Sequence, residues 1–166
     1  MQIRSLGEVE AALYRKIRLN ALKNDPDVFG SSYEKEASLP LETFKAKLAP
    51  AKDKFVLGAF QENGLMGIVT FVREGDLKNR HKGNIFGMYV SPETRGQGVA
   101  KALMEQLIDR SKNLDGLEQI KLSVVSTNEA AKQLYMSFGF EVYGVEPNAM
   151  KVNSQYLDED LMVLFI

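Results

Sequence analysis

The sequence GMYVSPETRGQGVAKALMEQLIDR, residues 87–110, joins an apolar run to an amphipathic run through a short polar turn. The apolar run ends at Val90, and the turn carries Pro92, Gly96 and Gly98. This pattern predicts a strand that enters a glycine-bearing turn and a helix that leaves it. The first N–H groups of such a helix lack intrahelical partners, and glycines let a bulky anion approach them. A phosphate or pyrophosphate is the natural ligand, although an ordinary strand-to-helix turn would use glycines too.

Two commoner phosphate-binding motifs do not fit this turn. A P-loop requires Gly-Lys-Ser/Thr after a four-residue gap, and the chain does not supply it. A Rossmann fingerprint requires a third small residue where Lys101 stands, together with an opening βαβ unit. A nucleotide-binding α/β domain of either kind is therefore a weak interpretation.

The composition narrows the class of protein. A length of 166 residues suits a single domain over residues 1–166. The net charge of −1 argues against nucleic acid or an anionic membrane as the main partner. With no cysteine and one histidine, the chain lacks the ligands for a thiolate or imidazole metal site, and it lacks a cysteine nucleophile. From these counts we expect a protein without a metal. The start of the chain has no signal-peptide pattern, and no apolar run is long enough to span a bilayer, so we also expect a cytoplasmic protein.

The remaining patterns predict alternating helices and strands in the order β-α-α-β-β-β-α-β-α-β-β. The first helix is expected to bury positions 9, 13, 17 and 21 or 22, which share one face. The runs KFVLGAF and LMGIVTFVRE read as a hairpin with its turn at Asn63-Gly64. A capping box of Ser126 and Glu129 is expected at the last helix. The polar stretch from Tyr143 to Asp160 reads mainly as a connection before the final strand, bordering an acceptor pocket or a subunit interface.

Two signatures resemble those of the GNAT superfamily of acyl-CoA-dependent N-acyltransferases. RGQGVA, residues 95–100, resembles its Arg/Gln-x-x-Gly-x-Gly/Ala signature, and VSPETR, residues 90–95, resembles the lead-in. NEAAKQLYMSFGF, residues 128–140, looks like its second signature, in the expected order. The resemblance implies an α/β (α+β) fold with a mixed, mostly antiparallel central sheet of six to seven strands and helices on both faces. It also implies a splayed parallel strand pair that forms the acyl-CoA cleft.

The same resemblance implies which residues bind coenzyme A. The backbone of the glycine turn would hold the pyrophosphate, and the Arg95 side chain would add a charge-assisted contact. The backbone of the strand ending at Val90 would pair with the pantetheine arm and polarise the thioester carbonyl. Asn128 would add a contact at the start of the last helix. The cofactor-binding residues so implied are Met88, Tyr89, Val90, Arg95, Gly96, Gln97, Gly98, Val99, Ala100, Asn128 and Tyr135.

The catalytic residues implied are Tyr135 and Glu36. Tyr135 would act as general acid toward the leaving thiolate, although a tyrosine on a helix face is often a core residue. Glu36 is a candidate general base, and a water chain would serve instead. Glu34 and His81 are tentative substrate-binding residues, for which solvated surface positions are the plain alternative.

The resemblance thus implies an N-acetyltransferase that moves acetyl from acetyl-CoA to a primary amine by direct attack. The acceptor is a small-molecule amine or a protein amino group, and a homodimer is compatible with the sequence. The alternative is a catalytically inactive GNAT-like domain that binds coenzyme A as a ligand or sensor.

Overall fold

One mixed sheet of seven strands organises the chain, in the spatial order β1-β2-β3-β4-β5-β7-β6. The structure is a computed structural model that describes residues 1–62 and 64–166. β4 and β5 pair in parallel, whereas the other five neighbouring pairs are antiparallel. The strands are β1 (Gln2–Ser5), β2 (Lys54–Gln61), β3 (Gly64–Arg73), β4 (Lys82–Val90), β5 (Gln119–Val125), β6 (Glu141–Val152) and β7 (Gln155–Phe165). The predicted fold class is confirmed.

Helices cover both faces of this sheet. They are α1 (Ala11–Asn24), α2 (Tyr33–Ala37), α3 (Leu41–Leu48), α4 (Val99–Lys112) and α5 (Glu129–Ser137). Short 3₁₀ turns lie at Glu8–Glu10, Pro26–Val28 and Pro92–Thr94. Val69 and Phe71 of β3 pack toward α4, while Ile68 packs toward α1 and α3. Alternate residues of a strand point to opposite faces, so a nearly continuous apolar run fills two cores.

Three details differ from the sequence-based expectations. In α1 the buried residues are Ala11, Tyr14, Ile17, Ala21 and Leu22, whereas Val9 is 93% exposed and Leu13 is 44% exposed. The stretch expected to be a connection is instead a long hairpin of β6 and β7. The irregular segment before α3 contains the extra helix α2.

The hairpin of β2 and β3 is present, with Gln61 opposite Gly64. Its predicted turn residue Asn63 lies outside the described residues. Within residues 1–62 and 64–166, no helix is both long enough and apolar enough to cross a membrane.

Candidate active site

The parallel strands β4 and β5 separate after a short paired segment. Their register pairs Lys82–Asn84 with Gln119–Lys121, and pairing stops there although both strands continue. β4 pairs with β3 on its other side, and β5 pairs with β7. The remaining inner edges, residues 85–90 and 122–125, therefore border a gap with backbone donors and acceptors that an extended ligand can bind. The predicted splay of the parallel pair is confirmed.

A β-bulge bends β4 beside this gap. Thr70 pairs with Phe86 and Ile68 pairs with Tyr89, so three steps along β4 oppose two along β3. Gly87 lies in the bulge with a φ of +61°, a left-handed conformation that favours glycine. The extra residue leaves Phe86 55% exposed in the middle of a central strand. The bulge thus changes the direction of the strand next to the gap.

The side chains at the end of β4 pack against other parts of the protein. Tyr89 is 4% exposed, and its hydroxyl accepts a hydrogen bond from Asn24 Nδ2 at 3.2 Å. Met88 and Val90 pack against the core on the other face of the sheet. Any ligand in the gap would meet these three residues through their backbone edge.

The glycine turn lies at the open end of the gap, directly after β4. Gly96 and Gly98 have φ values of +77° and +80°, and a Cβ added to either would meet no atom within 4 Å. Gly98 is the N-cap of α4, and no described side chain caps the helix start. The buried side chain of Val99 anchors the helix, while Gly96, Gln97 and Gly98 are exposed. The space over the two glycines is thus open at the start of a 14-residue helix, which suits a phosphate or pyrophosphate.

The Arg95 side chain does not extend over this turn as a free cation. Its Nη2 lies 2.5 Å from Asp25 Oδ2, and its Nε donates to the Val90 carbonyl at 3.0 Å. The guanidinium also lies 5.8 Å from the centre of the Tyr89 ring. These contacts tie the end of α1 to the end of β4, so the side chain holds the turn in place and the expected contact with pyrophosphate is disfavoured.

The start of α5 borders the gap from the β5 side. Asn128 is the N-cap, and its Oδ1 accepts from the Ala131 N–H at 3.3 Å. The predicted capping box is wrong, because Ser126 Oγ donates instead to Asp160 Oδ1 at 2.5 Å. Asp160 also contacts Lys132 Nζ at 2.8 Å, which joins α5 to β7.

Tyr135, on the second turn of α5, is 8% exposed. Its ring centre lies 6.0 Å from that of Phe140. Burial raises the pKa of the Tyr135 phenol to about 12. The hydroxyl therefore stays protonated over the physiological range, as a proton donor must.

The structure disfavours Glu36 as a general base. The carboxylate is 2% exposed and accepts from Arg18 Nε at 3.2 Å and Arg18 Nη2 at 2.6 Å. Lys47 Nζ lies 3.7 Å from its Oε1. Burial would raise the pKa of Glu36, but the hydrogen bonds and charge of Arg18, together with Lys47, lower it overall. A carboxylate held by two cations is a weak proton acceptor.

His81 lies at the closed end of the parallel pair, just before β4. Its carbonyl accepts from the N–H groups of Glu118 and Gln119 at 2.8 and 3.1 Å. The nine-residue strand β4 separates it from the glycine turn by roughly 27 Å. This position disfavours His81 as a substrate contact. Among the described residues, no group of three or more His, Cys, Asp or Glu side chains is arranged to hold a metal ion.

A cleft of about 700 Å³ lies between the segment after α1 and the hairpin of β6 and β7. Glu34, an expected substrate contact, lies in its wall. Phe29 also lines the cleft, and its ring centre is 6.2 Å from that of Tyr89. The cleft therefore adjoins the end of β4 that borders the gap. Its lining residues are Leu22, Lys23, Pro26, Phe29, Gly30, Ser31, Ser32, Tyr33, Glu34, Ala149, Met150, Lys151, Val152 and Asn153.

Residues 19–140 match the family model described as "Acetyltransferase (GNAT) family". Since this match covers most of the chain, the chain belongs to the GNAT acetyltransferase family. It is 33% identical over 73 residues to the L-amino acid N-acetyltransferase AaaT of Escherichia coli, covering 44% of this chain and 45% of that protein. It is 29% identical over 114 residues to the spermidine N(1)-acetyltransferase of Vibrio cholerae, covering 69% of this chain and 64% of that protein. The chain thus spans about half to two thirds of the length of these relatives.

Solved structures with the same fold extend over nearly the whole chain. A GNAT acetyltransferase from Streptococcus pneumoniae superimposes with a TM-score of 0.90 at 24% identity, covering 99% of both chains. A putative acetyltransferase from Salmonella typhimurium, solved with its cofactor acetyl-CoA, superimposes with a TM-score of 0.80 at 23% identity, covering 99% of this chain and 93% of that one. At these identities the two structures show the fold.

Proposed function

We propose that this protein is an N-acetyltransferase that transfers the acetyl group of acetyl-CoA to a primary amine. The observation that carries the proposal is the gap between β4 and β5 with exposed backbone N–H groups of the glycine turn at its open end. Membership of the GNAT family supports it, as does the acetyl-CoA in the related Salmonella structure.

In this proposal, backbone groups make most of the contacts that bind acetyl-CoA. The N–H groups from Gly96 to Ala100 hold the pyrophosphate, because no side chain obstructs them and the dipole of α4 favours an anion there. The inner edge of Met88–Val90 pairs with the extended pantetheine arm. Arg95 acts indirectly by fixing the turn against Asp25. Asn128 contributes its Nδ2 donor, since its Oδ1 caps α5.

The chemistry is a direct acyl transfer. Acetyl-CoA, the co-substrate, supplies a thioester whose carbonyl carbon forms a bond to the amine nitrogen as the bond to sulfur breaks. A β4 N–H beside the bulge stabilises the negative charge that develops on the carbonyl oxygen. The Tyr135 hydroxyl gives its proton to the departing thiolate, of ordinary pKa about 8.5, and regains one from the bonded nitrogen, which loses a proton as the amide forms.

The acceptor amine must also lose a proton before it attacks. An alkylamine with a pKa of about 10.4 is almost wholly protonated at neutral pH. We assign this proton to water in the open cleft, because Glu36 is committed to Arg18 and Lys47. Glu34, exposed in the cleft wall, serves to attract the ammonium form.

The cleft between α2 and the hairpin of β6 and β7 is the proposed acceptor site, since it adjoins β4 through Phe29. The relatives act, by their names, on L-amino acids and on spermidine. A third relative is the N-terminal acetyltransferase B catalytic subunit NAA20 of Arabidopsis thaliana, 33% identical over 96 residues. A primary amine is the chemistry common to these acceptors.

The first test is thermal unfolding with acetyl-CoA, with ATP and NAD as controls. At a concentration of about a hundred times its dissociation constant, a ligand stabilises the folded state by about 2.7 kcal/mol. For a chain of this size that raises the Tm by about 5–10 °C. A shift with acetyl-CoA alone, together with thiol release on adding amines, supports the transferase. A shift without turnover of any amine supports the inactive binding domain, and no shift contradicts both.

A further inference from the structure

The charge of the proposed acceptor cleft is predominantly positive at its rim. Lys23, in the last turn of α1, and Lys151, in β6, line the cleft from its two walls, and both are exposed. Glu34 is the single carboxylate among the described lining residues. The lining thus carries two lysines and one carboxylate, and the Lys151 Nζ lies 5.2 Å from the centre of the Tyr156 ring.

The buried guanidinium of Arg18 lies behind the residues that line the cleft. Arg18 lies one helical turn before Leu22 on the same face of α1, and Leu22 lines the cleft. The Arg18 Cζ is 5.5 Å from the centre of the Phe29 ring, which also lines the cleft. The side chain is only 11% exposed, so its charge acts in a medium of lower dielectric than water.

The charge of Arg18 is not fully compensated. Glu36 neutralises one positive charge, but it lies near both Arg18 and Lys47. Arg18 Nε and Nη2 are both occupied by the Glu36 carboxylate. Its Nη1 lies 3.3 Å from the position of a Cβ on Gly87, in the bulge of β4. The guanidinium therefore lies between the cleft residue Phe29 and this bulge.

We propose that the acceptor is a small amine that also carries a carboxylate, and this assignment rests on the proposed function above. Lys23 and Lys151 bind the carboxylate, and the positive charge of Arg18 reinforces that preference from behind. Glu34 lies where it can attract the ammonium end. A polyamine carries several positive charges and no negative one, so two lysines against one carboxylate in the lining of this cleft, with Arg18 behind it, disfavour it.

The test compares L-leucine with L-leucinamide, which has the same carbon skeleton but an uncharged amide in place of the carboxylate. Spermidine serves as the polycationic acceptor. Acetyl-CoA is held at saturation, and kcat/KM is measured from thiol release. We expect kcat/KM for leucine to exceed that for leucinamide and for spermidine by about tenfold or more, since leucine alone carries a carboxylate that can accept charge-assisted hydrogen bonds from the lysines.

Charge reversal then assigns the preference to the cleft. Lys151→Glu and Lys23→Glu should each lower kcat/KM for leucine by about tenfold and that for leucinamide by less than about threefold. Lys78→Glu is the matched control, because Lys78 is an exposed lysine in the turn before β4, at the end of the strand far from the cleft. Arg18 is left unchanged, because its removal would leave Glu36 buried without its main partner.

Several outcomes would overturn the assignment. One is that leucinamide or spermidine equals leucine as an acceptor, and another is that Lys151→Glu and Lys23→Glu lower kcat/KM for all three amines equally. A protein that binds acetyl-CoA but does not acetylate leucine would also overturn it, while leaving the proposed co-substrate in place. A protein that fails to bind acetyl-CoA would contradict the proposed function itself, so the two failures are distinguishable.

Discussion

Replacing Glu36 with glutamine separates a structural carboxylate from a catalytic base. Glu36→Gln removes the negative charge that the buried Arg18 guanidinium faces at 2.6 Å. Breaking a buried ion pair by removing one partner costs about 3–5 kcal/mol. Glutamine keeps one oxygen acceptor, so we expect a loss near the lower limit, about 3 kcal/mol. For a chain of this size that corresponds to a fall in Tm of about 6–12 °C.

The pH dependence of this loss follows from the lowered pKa of Glu36. A carboxyl group whose folded pKa lies below its unfolded pKa contributes stability that is present above the unfolded value. That contribution is lost as the pH falls through the folded value. The difference in Tm between the wild-type protein and Glu36→Gln should therefore be constant near neutrality and shrink under acid conditions.

Thermal scans across pH, paired with kcat/KM for the folded protein, measure both roles. Glu42→Gln is the control, because Glu42 pairs with Lys45 on the exposed surface of α3 with its side chain 77% exposed. We expect that control to change stability by less than about 0.5 kcal/mol. An unchanged Tm for Glu36→Gln, together with activity that falls at neutral pH and recovers as the pH rises, would refute the structural role and establish Glu36 as the base.

Three further predictions test the rest of the site. Gly98→Val should weaken acetyl-CoA binding by about tenfold or more in calorimetric titration. The new side chain would enter the space over the turn, and a β-branched residue is strained at a φ of +80°. Gly75→Val is the control and should leave the affinity unchanged, because Gly75 lies in an open turn without a positive φ. Tyr135→Phe should lower kcat by about a hundredfold with little change in the Kd for acetyl-CoA, and an unchanged kcat would remove the phenol from the mechanism. Asp160→Asn should lower the Tm at neutral pH, because hydrogen bonds from Lys132 and Ser126 depress the pKa of Asp160. The difference in Tm between the wild-type protein and the variant should disappear as acid protonates the wild-type carboxylate. A difference in Tm that is independent of pH would contradict the ion pair.

The strand, turn and helix around the glycine motif could be predicted because their signals are local. Glycines at positive φ, a helix start without a side-chain cap and an apolar run that reads as a central strand all lie within residues 84–112. The separation of β4 from β5 involves residues far apart in the sequence, and it was predicted from the family resemblance.

Other features depend on tertiary packing that no local pattern reveals. The side chains of β6 are largely exposed on both faces, so that edge strand lacks the alternation by which a half-buried strand is recognised. The true buried face of α1 includes the small residues Ala11 and Ala21, while Leu13 is 44% exposed. Arg18 and Glu36 belong to different helices, 18 positions apart, so their pairing could not be read from spacing.

The short ladder between β4 and β5 divides the sheet into two plates. One plate contains β1 to β4 and the other contains β5 to β7. Among residues 1–62 and 64–166, the ladder that joins them pairs Lys82–Asn84 with Gln119–Lys121, next to the two hydrogen bonds of the His81 carbonyl. A ligand that pairs with both inner edges acts as a brace across this joint. The free energy of binding then also stabilises the joint between the two plates. Bound ligand therefore makes the protein more rigid between β4 and β5.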